Sequence, residues 1–396
     1  MTLTPATSAN VRRPLRAAYG ALTTTIAVSI PVFLVGGLAV QISDELGFSP
    51  AGLGLAVSAY FGASALASVP AGALVERYGS TLISRAAIGL SAASLLGVAA
   101  GARSLWSLVA ILALGAAANA LGQLASNSSL AVHVPPRRQG LSFGVKQAAI
   151  PVCTLLAGVA VPAVALTLGW RWAFVLAALL ALSVIPLVPA GERHAGRRRA
   201  GDHRQATGAL IVLGVAATLA AAAANALGTF LVDSAVARGI SPGPAGLALT
   251  LGGAVCALAR ITGGWQADRL PGRQVGVIAG LLASGAVGLA LLAVPGVPAL
   301  VAGVVLGFGL GWAWPGLMNF AVVRLHPQAP AAATSITQTG VYAGGCLGPL
   351  GLGAVASVAG YPTMWVVAAV AMVSAAGLMI VGSTLLRRHP APATEI

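Results

Sequence analysis

Lys146 and Arg260 are the two basic side chains that fall deep inside long apolar runs of this 396-residue chain, and Lys146 is its one lysine. A charge at depth in an apolar medium costs at least ~2.5–3.5 kcal/mol, so a retained cation usually faces a polar cavity and works there. No acidic residue lies deep in any run to neutralise them. The missing partner is then an anion. Snorkelling of a long side chain to the interface is the competing reading. It weighs more for Lys146, about 8 Å into its run, than for Arg260, about 12 Å from the end of its own at 1.5 Å per residue.

Amides supply further polar contacts. Asn119, Gln123 and Asn127 recur at i, i+4 and i+8, one stripe along a helix face. Asn225, Thr229 and Asp233 repeat the device. Hydrogen bonds between helices, worth only ~0.6–2 kcal/mol each, explain such stripes equally well. With Tyr60, Trp312, Gln338 and Tyr342 as wall residues, the candidate binding set is Lys146, Arg260, Asn119, Gln123, Asn225, Tyr60, Trp312, Gln338 and Tyr342. Cys153, Cys256 and Cys346 are scattered and form no CxxC pair, so neither a disulfide framework nor a metal site is expected. No G-x-x-x-x-G-K-[ST] occurs, which removes an ATP-driven pump; no cofactor and no enzymatic chemistry are expected.

The elements that must position these residues follow from composition. Apolar residues make up 58% of the chain, Gly adds another 51 residues, and only 8% are charged. Soluble domains carry about 25% charged residues, so a water-soluble globule is excluded and the lipid bilayer is the solvent. Twelve apolar runs are long enough to cross it, at about 18–41, 51–74, 83–102, 104–131, 141–168, 172–190, 207–234, 243–266, 275–295, 297–322, 333–358 and 362–386. They lack the period-two alternation of barrel strands. The first run is too long for a signal-peptide core and is expected to stay. The net charge of +14 could suggest nucleic acid, but the basic residues sit in short patches between runs. Seventeen lie on one side, between runs or at their edges, three (Arg103, Arg171, Arg238) on the other, and two deep within runs. Such a bias places both termini in the cytoplasm and predicts no nucleic-acid partner.

The polar stretch 191–206 divides residues 18–190 from 207–386, with short tails at 1–17 and 387–396. The two halves repeat. At an offset of 192, Gly47, Ser49 and Pro50 match Gly239, Ser241 and Pro242, and Asn127 matches Asn319. At 191, Gln147 matches Gln338 and Gly169 matches Gly360. A near-constant offset over several helices means duplication. Six-helix parallel repeats of this kind build transporters with a midplane site between halves. By the same offsets Arg260 aligns with Ser68 and Lys146 with Thr337, so each cation breaks the internal symmetry.

The loop after the second run reads Gly72-x-x-x-Glu76-Arg77-x-Gly79, and its counterpart reads Gly264-x-x-x-Asp268-Arg269. On these duplicated loops, the twelve runs and the central basic segment, the chain resembles the major facilitator superfamily, whose signature there is G-x-x-x-D-R-x-G-R/K. It departs by Glu76 for Asp, by Ser80 for a basic residue, and by an extra residue before Gly272. The resemblance implies an all-α, twelve-helix fold in two pseudo-symmetric halves, and a gating role for Gly72, Glu76, Arg77, Gly79, Gly264, Asp268 and Arg269. It also implies that helices five and eight meet between the halves and that helices one, four, seven and ten line the cavity. The Lys146-Gln147 pair and Ala259-Arg260-Ile261 are similar to the small-anion branches, cyanate-, nitroimidazole- and monocarboxylate-transporter-like. The expectation is a monomeric transporter of a small organic anion in a bacterial inner membrane. Alternatives are proton-coupled efflux of drug-like compounds and a sensor that does not translocate.

Overall fold

The computed structural model describes residues 7–134, 139–189, 207–267, 269, 274–325 and 330–388, and those residues are helical with short turns between helices. Among the described residues, eleven helices or helix pairs are long and apolar enough to span a membrane. The last, Thr337–Leu385, contains Gly360 at φ 80° and ψ 166°, which divides it in two and brings the spans to twelve. Gly169 holds φ 99° at the equivalent turn of the first half. A side chain with a Cβ is strained at such angles, so glycine recurs there in both repeats.

The first span is α1 (Thr7–Gly37), extended by α2 (Ala39–Leu46). The second is α3 (Pro50–Tyr78) and the third α4 (Ser80–Gly101). The fourth joins α5 (Leu105–Gly115) to α6 (Ala117–His133), and the fifth joins α7 (Gln139–Gln147) to α8 (Ala149–Ala160) and a π turn at Val161–Ala165. The sixth begins with α9 (Trp170–Ser183). In the second half, α10 (Thr207–Val236), α11 (Pro242–Ala267) and α12 (Gln274–Leu291) are the seventh to ninth spans. The tenth runs from α13 (Val297–Leu306) through a π turn (Gly307–Gly311) into α14 (Pro315–Leu325). The eleventh and twelfth are the two arms of α15 (Pro330–Arg388). The central segment 191–206 and Asp268 lie outside the described residues.

Small residues are concentrated inside, and many large apolar ones face outward. Leu66, Leu114, Trp106 and Val358 are 70% exposed or more, whereas alanines dominate the buried set. Lipid offers apolar surface as well as a core does, so helices gain from backbone approach rather than from burying leucine. We call the end where α1 enters, with Arg77, Arg85 and Arg269, the basic end. At the opposite end the halves touch backbone to backbone: Gly36 meets Gly228, and Gly54 meets Pro349. A methyl group on Gly158 would stand 2.5 Å from the Gly246 carbonyl oxygen.

Two arginines near that opposite end tie helix ends together. Arg171 donates to the Ala99 and Ala102 carbonyls (3.1 and 2.9 Å) and pairs with Glu45 at 2.5 Å. Arg238 donates to the Leu292 and Val294 carbonyls at the end of the ninth span, in the same half. The last carbonyls of a helix have no intrahelical partner and carry its negative dipole end, which a guanidinium satisfies on both counts.

Candidate functional site

A cavity of about 290 Å³ lies between the halves, lined by residues of spans one, two, four, five, seven, eight, ten and eleven. The lining spreads from mid-span toward the basic end, through Asn127, Asn319 and Thr339. Backbone contacts seal the opposite end, so the cavity faces the basic end. The nine candidate residues all line it, gathered from seven spans.

Lys146 is 1% exposed. Its ammonium donates to Gln123 Oε1 at 2.5 Å and to Asn127 Oδ1 at 2.9 Å, both on the stripe of the fourth span. Asn119, the top of that stripe, accepts from the Ser29 hydroxyl and donates to Ser64, both at 3.3 Å. Ser64 in turn donates to the Ala116 carbonyl at 3.1 Å, at the break between α5 and α6. The stripe therefore ties spans one, two and four together and holds the Lys146 ammonium of the fifth. An ammonium has three N–H groups, so one remains for a ligand.

Arg260 is 2% exposed, and most of its donors go to backbone. Pro151 has no N–H, so the carbonyl of Gln147, four residues earlier, lacks its helical donor. Arg260 NH1 supplies one across the halves at 2.8 Å. Its Nε and NH2 both reach the Trp312 carbonyl, at 3.0 and 2.8 Å, just after the π turn of the tenth span. The guanidinium also stands 5.7 Å from the Trp312 ring centroid. Three of its five N–H groups are thus taken up by these carbonyls. Snorkelling explains neither cation, because both are buried and hydrogen-bonded at the cavity wall.

The second stripe reaches the cavity only through Asn225. Asn225 bonds back to the Ala221 carbonyl at 2.8 Å, and Thr229 to the Asn225 carbonyl at 2.8 Å. Asp233 accepts a hydrogen bond from the Tyr361 hydroxyl instead. Tyr60 lines the cavity while donating to the Val28 carbonyl at 2.7 Å. Trp312 contacts Phe33 and Phe308 at ring separations of 5.9 and 5.6 Å. No carboxylate belongs to the lining among the described residues.

In the signature loops, Gly72 has open space beside it among the described residues, and Gly79 takes φ 81° at the turn. Glu76 is exposed, and the Arg77 guanidinium lies 5.3 Å from the Tyr78 ring centroid. Gly264 packs on the fifth span, where a methyl group would stand 2.9 Å from the Gly140 carbonyl. Arg269 sits 3.7 Å from the Trp265 ring centroid. Asp268 lies outside the described residues.

Sequence reasoning missed Ser29, Phe33, Gln147, Trp314 and Asn319 in the lining. The repeat carried a signal for two of them, since Asn319 is the partner of Asn127 and Gln147 that of Gln338. Nothing in the local sequence marked the others.

The family model of the Major Facilitator Superfamily matches residues 20–211 and 213–396. The chain is similar to a solved bacterial homolog of the human lysosomal transporter Spinster in an inward-facing and occupied conformation. That likeness has 16% identity and a TM-score of 0.74, covering 97% of this chain and 99% of that one. The same homolog in an inward-facing and unoccupied conformation gives 15% identity and a TM-score of 0.71, covering 98% and 100%. At such identities the likeness concerns the fold. No curated protein matches the chain. The two family matches together span nearly the whole length, and the twelve-span duplicated architecture agrees with them: the chain belongs to the Major Facilitator Superfamily, whose members are transporters.

Proposed function

We propose that this transporter moves a small organic anion by alternating access, with the anionic group held between Lys146 and Arg260. One observation carries the reading: two buried cations share a cavity whose described lining holds no carboxylate. Their partners in the protein are neutral oxygens, of the Gln123 and Asn127 amides and of the Gln147 and Trp312 carbonyls. Neutral dipoles offset part of the desolvation of a cation but leave its charge uncancelled. A volume of about 290 Å³ is at the small end of ligand cavities, which favours a small solute over a bulky drug.

The bias of basic residues supports placing the basic end in the cytoplasm of a bacterial inner membrane, so that the cavity is open inward. The test is flux into proteoliposomes of purified protein. Uptake of labelled acetate, lactate or benzoate that excess unlabelled carboxylate inhibits, and organic cations do not, is the expected result. Inhibition by cations with no effect of carboxylates would replace the anion reading with cationic drug efflux.

A further inference from the structure

The two seams between the halves are not equivalent. The seam of the fifth and eighth spans is closed along its length. Near the basic end a methyl group on Gly144 would stand 2.9 Å from the Arg260 carbonyl and 3.2 Å from the Gly264 Cα. At mid-length one on Gly253 would stand 2.6 Å from the Pro151 carbonyl, and at the far end Gly158 and Gly246 touch as described. The seam of the second and eleventh spans is its pseudo-symmetric copy. Offsets of 192 and 191 carry Gly246 and Gly158 onto Gly54 and Pro349, which also touch.

Toward the basic end the copies part company. Gly264 maps onto Gly72, where an added methyl group would meet no atom of a described neighbour within 4 Å. Arg260 and Gln147 map onto Ser68 and Gln338. Where Arg260 reaches across to the Gln147 carbonyl, the Ser68 hydroxyl turns back to the Ala65 carbonyl at 2.6 Å, and the cavity opens between Ser68 and Gln338. One seam is bolted by a guanidinium; the other has a hydroxyl too short to reach.

We infer that Arg260 is a positioning residue that fixes the seam of spans five and eight as the axis about which the halves turn, leaving the seam of spans two and eleven to open and close. The Pro151 break makes the device specific, because it leaves the Gln147 carbonyl needing a donor that arrives from the other half. A lysine at 260 could not serve Gln147 and Trp312 in one plane, since that takes the rigid guanidinium fork. This inference rests on the alternating-access reading but not on the anion.

The experiment is distance measurement by paired spin labels in lipid nanodiscs, on a background without native cysteines and with no substrate added. One pair, Leu141→Cys with Trp265→Cys, reports the basic end of the bolted seam. A second, Leu74→Cys with Thr339→Cys, reports the basic end of the other. The first distribution is expected to be narrow and the second broad or double-peaked. Arg260→Gln should broaden the first to resemble the second, and Arg260→Lys should restore it only partly. Should Arg260→Gln not fold, Pro151→Ala gives the Gln147 carbonyl its own backbone donor and should likewise broaden the first pair. A wild-type first pair as broad as the second, or one that stays narrow in the variant, overturns the inference. Since no anion is used, that failure is separate from a failure of the flux test.

Discussion

Replacing Lys146 by glutamine removes its charge and keeps a hydrogen-bonding head. Two of the three ammonium N–H groups are already engaged, with Gln123 and Asn127, so a bound anion can accept one. A hydrogen bond to a charged group contributes about 1.5–3 kcal/mol against roughly 0.5–1.5 for a neutral one. The expected loss is therefore about 1–2 kcal/mol, or ~5–30-fold in affinity for a carboxylate at 1.4 kcal/mol per decade. Coulomb attraction at 4 Å and an effective dielectric of 20 is nominally about 4 kcal/mol, but desolvation of both ions opposes most of it. The assay is inhibition of labelled uptake by graded carboxylate, repeated with an uncharged amide of the same shape. Lys146→Gln should weaken the carboxylate and leave the amide alone, and Lys146→Arg should recover much of the difference. Equal weakening of both compounds, or no change in either, would refute an anion contact at this residue.

Asp233 takes its hydrogen bond from Tyr361 and stands outside the cavity lining, so Asp233→Asn should leave uptake nearly intact while lowering thermal stability by about 1 kcal/mol. Abolished uptake in a folded variant would give this carboxylate a transport role instead. Glu45 is held below the ordinary value of 4.5, first by its hydrogen bond to Arg171 and then by that to Trp170. A depressed carboxyl stabilises the fold above its unfolded value and stops doing so as pH falls through the folded one. Melting temperatures of the wild type and of Glu45→Gln should thus differ near neutrality and converge below pH 4.5; a constant gap would show that the ion pair is not what stabilises. For orientation, Ala195→Cys should resist an impermeant thiol reagent added outside intact cells, whereas Ser104→Cys should react. The reverse pattern would invert the topology.

The spans were legible because hydropathy over a bilayer's width is a strong signal, and the duplication because its offsets barely drift from 191 to 192. The candidate residues were found by one physical rule, that polar groups at depth face something polar, and they line one cavity. What they bond there was not legible. A helix break at Ala148 is invisible to hydropathy, and so is the π turn at Gly307–Gly311. Reading Arg260 as engaged through three of its N–H groups requires knowing that its fork meets two carbonyls at such breaks, one of them 113 residues away in sequence. The stripe of Asn225, Thr229 and Asp233 misled for the opposite reason: the i, i+4 spacing that aligns side chains also lets Asn225 and Thr229 bond back to their own helix.

Arg171 and Arg238 stand on the side of the membrane where arginine is scarce. Their guanidiniums cap the carbonyl ends of other helices, so the acceptors exist in place only once those helices have packed. With the basic end in the cytoplasm, as proposed above, each is a bare charge carried across the bilayer during insertion and a rivet afterwards. The topology signal and the tertiary fold thus place opposite demands on the same two residues, met at different times in the life of the chain. Assembly order matters as a result: the sixth span cannot be secured by Arg171 before the third has arrived, nor the seventh by Arg238 before the ninth.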